Sequence, residues 1–145
     1  MNYKLRWSLF WALVAIFIVA IVLLLSPAAR NTLRTEPVLL ALGISLLVLG
    51  GALIYLTIKE KLTGLPMVFM LLTGASASGI TVSVLLHNAI YGLFIYWFGP
   101  EFWTGIGLPD EPLFFFLGLI FFPIALLVGI AGTIVLAIKN QRKHN

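Results

Sequence analysis

The sequence contains no cysteine, which excludes thiol catalysis, iron–sulfur ligation and disulfide stapling. Charge is also scarce: charged residues make up 10% of the 145-residue chain, against about 25% in an ordinary soluble domain. There are two histidines, His87 and His144, and no HExxH pair, so a zinc site lacks ligands. The carboxylates Glu101, Asp110 and Glu111 lie among glycines and prolines without the spacing of a calcium-binding loop, and they read as a solvated acidic loop. No GxSxG elbow is present, and no cofactor-binding motif appears.

What the chain has in abundance is apolar surface. The apolar share is 61%, where about 45–50% is usual for soluble proteins. The mean hydropathy is +1.11, which excludes a disordered chain and a nucleic-acid module in spite of an isoelectric point near 9.7.

The nine basic and five acidic residues are confined to short clusters, so residues 7–29, 37–58, 62–100 and 112–138 carry no formal charge. A helix needs roughly 20 apolar residues to cross a hydrocarbon core of about 30 Å, so four spans fit. They are expected at residues 7–25, 38–58, 67–88 and 113–138, with an outer loop at 89–112 and a basic tail at 139–145. The runs are continuous and do not alternate, which favours helices over barrel strands. The expected fold is therefore a single all-α membrane domain, a small bundle of four transmembrane helices.

Lys and Arg near span ends are retained on the cytoplasmic side. Placing both termini there puts Lys4, Arg6, Lys59, Lys61, Lys139, Arg142 and Lys143 inside and leaves Arg30 and Arg34 outside. Glu36, Glu101, Asp110 and Glu111 then face the other side. The expected location is the plasma (inner) membrane. Ser26, Pro27 and Ala28 resemble a signal-peptidase site, but the preceding apolar run, residues 7–25, is longer than the 7 to about 15 residues of a signal peptide's core. An uncleaved anchor is the expectation.

Span two carries Gly43, Ser45, Gly50 and Gly51, which permit close helix approach. Span three is richer in such residues. At 100° per residue, Thr73, Ser76, Ala77, Thr81, Ser83, His87 and Asn88 share one broad side, opposite Ala75, Val82 and Leu86. Gly74 with Ser78, and Ala75 with Gly79, have small-xxx-small spacing. These residues are expected to pack against other helices or, in an assembly, to line a pore. His87 and Asn88 fall near the outer boundary, with Ser83 one turn before His87 and Asn88 or Glu101 as groups to orient its ring.

The aromatic stretch at 91–98 is expected as a short segment in the outer interface between spans three and four. In span four, Pro123 removes a helical hydrogen bond and crowds the carbonyl of Leu119, so a kink is expected across residues 118–122. Gly129 and Gly132 offer a second close-contact surface beyond it.

No Asp, Glu, Lys or Arg falls inside a predicted span, which disfavours ion-coupled transport by an intramembrane carboxylate. The resulting expectation is a noncatalytic protein acting by helix contact, as an accessory subunit, assembly factor or lipid-organising element. Its partners are the lipid bilayer and either another membrane protein or further copies of itself. The alternative is a homo-oligomeric channel or small-solute transporter with span three at the seam.

Overall fold

The computed structural model describes residues 2–27 and 35–142. Arg30, Arg34, Lys143 and His144 lie outside the described residues. Among the described residues the regular structure is all helical: α1 (Asn2–Leu25), α2 (Thr35–Lys59), α3 (Gly64–Phe98), the short α4 (Phe102–Gly105), α5 (Pro112–Phe116), a π-helical turn (Leu117–Phe121) and α6 (Phe122–Arg142). Among the described residues, four stretches are long and apolar enough to cross a membrane: Tyr3–Leu25, Glu36–Lys59, Gly64–Phe98 and Pro112–Arg142.

The main packing runs α1 on α2, α2 on α3, and α3 on α6, so α3 sits between two neighbours. Phe10, Leu13 and Phe17 form the buried stripe of α1 at helical spacing, and they join Leu46, Leu53, Met70, Ala77 and Leu126 in the core. Tyr3, Leu62 and Gln141 line one common cleft, so the start of α1, the α2–α3 turn and the end of α6 share one end of the bundle. That end carries most of the cations, and the opposite end carries Glu101, Asp110 and Glu111.

One local feature differs from expectation, and a second gives an expected irregularity its form. The aromatic stretch at 91–98 is no separate interfacial segment, because α3 runs unbroken for 35 residues to Phe98. Nothing from Met67 to Phe98 stops a helix, whereas Gly99, with φ 95°, and Pro100 do. At 1.5 Å per residue α3 is about 52 Å long, so its last turns project beyond a hydrocarbon core of about 30 Å or the helix tilts.

The second concerns Pro123, which is accommodated by the π-helical turn Leu117–Phe121 immediately before α6. Widening the helix by one residue per turn there relieves the crowding that a proline imposes on the preceding carbonyls. Gly118, inside this turn, is buried against Ser83 of α3.

Candidate functional site

The small and hydroxyl-bearing side of α3 is turned onto α2 and α6. Toward α2, Thr81 donates its Oγ1 proton to the Gly43 carbonyl at 2.7 Å, and Ser78 Oγ donates to the Leu47 carbonyl at 3.3 Å. Gly50 and Gly74 meet backbone to backbone: a Cβ on Gly50 would stand 2.6 Å from the Gly74 oxygen, and one on Gly74 would stand 2.8 Å from the Gly50 oxygen. Toward α6, Gly129 fits against Thr73, whose hydroxyl donates to Phe69 O at 2.8 Å within α3. Gly79 receives the ring of Phe122, and Gly132 receives the ring of Phe69. Ser76 and Ala77 are buried, while Ala75, Val82 and Leu86 are exposed. In lipid, where helices gain little from hydrophobic burial, such contacts and interhelical hydrogen bonds carry the association.

His87 is the hub of a second cluster at the acidic end. Its Nδ1 lies 3.1 Å from the Glu111 carbonyl oxygen and 3.3 Å from Glu111 Oε2, and its Nε2 lies 3.3 Å from Asp110 Oδ2. Whichever ring nitrogen carries the proton finds an acceptor. Glu111 is 5% exposed and also caps α5, its carboxylate accepting from the N–H groups of Leu113 at 2.8 Å and Phe114 at 2.9 Å. Pro112 opens that helix, where a missing N–H costs nothing, and the carboxylate meets the positive end of the helix dipole. Aromatics close the cluster: Tyr91 stacks on Trp103 with centroids 5.9 Å apart, and the Trp103 indole N–H donates to the Tyr91 carbonyl at 3.3 Å.

The partners of His87 are therefore Asp110 and Glu111. Glu101 is exposed, and Asn88, also exposed, donates its side-chain amide to Val84 O at 2.8 Å. Ser83 is buried against Gly118 and makes no hydrogen bond to His87 among the described residues. The signal that points to Glu111 is its place directly before Pro112 at the start of an apolar helix, a capping position.

Replacing Glu111 by alanine removes two capping bonds and leaves His87 with fewer acceptors. The expected loss is about 1–2 kcal/mol of stability, read as a lower unfolding temperature in detergent. Glu101→Ala, at an exposed position, is expected to stay within about 0.5 kcal/mol of the parent.

Sequence reasoning missed one further pair. Arg6 stands in α1 at the helical position preceding Phe10, is 6% exposed, and forms an ion pair with Glu60 at the end of α2. Its guanidinium also lies 5.3 Å over the ring of Tyr3. Arg6 was expected as one of several flanking cations, yet it is a buried charge within the stretch Tyr3–Leu25. The available signal is Glu60 itself, an acid standing between Lys59 and Lys61 at the otherwise basic end.

These features define the class: an all-helical chain with the form of a multi-pass membrane protein, its small-residue seam internal and a polar cluster at each end. No family model matches the chain, and no curated protein or solved structure matches it.

Proposed function

We propose that this chain is a noncatalytic multi-pass protein of the plasma membrane that works by contact within the bilayer, with both termini on the cytoplasmic side. The observation that carries this reading is the use of the α3 hydroxyls and glycines between α2, α3 and α6, inside one chain. A pore assembled around α3 needs those groups turned toward a shared axis. The outward faces are instead apolar, with Val82, Leu85, Ile124, Leu127 and Val135 exposed, and such faces suit lipid or a neighbouring helix. The basic end supplies the charge asymmetry that sets orientation.

Two measurements test the reading together. Because the chain has no cysteine, single cysteines report orientation directly. A membrane-impermeant maleimide added outside intact cells is expected to label Thr104→Cys and to spare Lys61→Cys and Gln141→Cys. The opposite pattern overturns the orientation. Purified protein in liposomes is expected to pass no ion or small solute above empty vesicles, and sustained flux that Asn88→Leu alters would overturn the contact reading in favour of a channel.

A further inference from the structure

An open-sided cleft of about 930 Å³ lies at the basic end of the bundle. One wall is α1, through Tyr3, Arg6, Trp7 and Trp11, and the other is the face of α6 running from Thr133 to Gln141. Its volume falls in the range of small-molecule and lipid sites, about 300–1,000 Å³. Among the described residues, three hydrogen-bond donors of side chains on its walls are enclosed and have no partner, Arg6 Nε, Trp7 Nε1 and Thr133 Oγ1, and the same holds for one acceptor beside Arg6, Glu60 Oε1. Thr133 is 5% exposed and Arg6 6%, so neither residue is freely solvated. A buried polar atom left unpaired costs free energy, and such donors in native proteins ordinarily find an acceptor.

Together these donors call for a ligand rich in acceptor oxygens, and the remaining lining calls for an aliphatic chain. Trp11, Met70, Ile134 and Leu136 continue the walls as apolar surface. Two of its walls are helices that are each long enough to cross the membrane, which sets the apolar part of the cleft where acyl chains lie. Glu60 already balances the charge of Arg6. Selection by charge therefore falls to the exposed cations Lys4, Lys61, Lys139 and Arg142, each adjacent in sequence to a residue lining the cleft. Basic residues near a membrane surface attract anionic lipid within about a Debye length.

We propose that the cleft between α1 and α6 binds one anionic phospholipid. Arg6, Trp7 and Thr133, whose donor atoms are enclosed by protein, rotate into the cleft to take its phosphate and ester oxygens, and an acyl chain lies against Trp11 and Ile134. The proposal rests on the contact reading and specifies the component contacted. Because the headgroup donors are recessed between helices and the cations are at the rim, affinity falls with salt without vanishing.

The test is native mass spectrometry of the full chain in a mild detergent, titrated with phosphatidylglycerol, phosphatidylcholine or soluble glycerol phosphate. One phosphatidylglycerol adduct per chain is expected to outlast the others. Thr133→Val with Trp7→Phe preserves most of the packing and removes two donors, and it is expected to weaken that adduct about tenfold or more. The lipid-free unfolding temperature of this double variant is expected to hold or rise, because two unpaired buried donors are gone, and that readout separates lost binding from lost folding. Lys139→Ala with Arg142→Ala, both at exposed positions, is expected to erase the preference over phosphatidylcholine while the fold is kept. Equal binding of both lipids by the parent chain, binding of glycerol phosphate alone, or an unaltered adduct in the donor-deleted variant overturns the site. Those results leave the contact reading standing, whereas solute flux overturns that reading whatever the lipid result.

Discussion

Gly50→Leu is expected to abolish the folded bundle, while Gly51→Leu, one residue along the same helix, is expected to leave it intact. The two positions are chemically identical and differ only in what a side chain meets. At Gly50 even the first carbon would stand 2.5 Å from Ser78 Oγ and 2.6 Å from the Gly74 carbonyl oxygen, and the second of these is backbone. Relief requires α2 and α3 to separate, which also stretches the Thr81 and Ser78 hydrogen bonds to α2. Overpacking of this kind costs about 3 kcal/mol or more once a full leucine must be housed. A Cβ at Gly51 meets nothing within 4 Å, and leucine is the better helix former by about 0.8 kcal/mol. Size-exclusion profile and unfolding temperature in detergent decide the matter. Equal behaviour of the two variants would mean that the α2–α3 contact is looser than described.

The second large effect lies at the Arg6–Glu60 pair. Arg6→Ala alone or Glu60→Ala alone leaves one buried charge without its partner, and each is expected to destabilise the protein by about 3–5 kcal/mol. Replacing both at once, Arg6→Met with Glu60→Leu, removes the two desolvation penalties together and is expected to recover most of that loss. A double-mutant cycle on unfolding free energy, run in detergent without added anionic lipid, therefore shows strong coupling between the two positions. Additive single effects would mean that the two charges are solvated independently. The outcome also bears on topology, because the pair ties the first turns of α1 to the end of α2 across the basic end of the bundle.

Much of the fold is legible in the residues themselves. Four charge-free runs, each long enough for a helical crossing, follow from the cost of placing charge and unpaired backbone in hydrocarbon, and four helices long and apolar enough to span a membrane stand where those runs lie. The aromatic stretch at 91–98 continues α3 and forms no separate segment, because composition speaks to depth in a membrane and not to helix continuity. A helix ends at a breaker, and the breakers are Gly99 and Pro100. Pro123 announces a local irregularity through its missing N–H, and the irregularity takes the form of the π-helical turn Leu117–Phe121.

Helical periodicity places Thr73, Ser76, Ala77 and Thr81 on one side of α3, because a 3.6-residue repeat is a local property of the chain. It does not say which helix that side meets. That Thr81 reaches Gly43, Thr73 meets Gly129, and His87 meets Asp110 and Glu111 follows from the order in which four helices pack. The same is true of Arg6, Trp7 and Thr133. Separated by more than a hundred residues, they share one cleft because α1 and α6 stand on its two sides, a distance in space that local chain geometry cannot encode. Composition and charge spacing thus determined that the chain is helical and built to span a membrane, since those follow from solvation residue by residue. Which polar groups are paired, which are left unpaired beside a cleft, and which glycines are indispensable were decided by tertiary packing alone, since each depends on an atom from another helix.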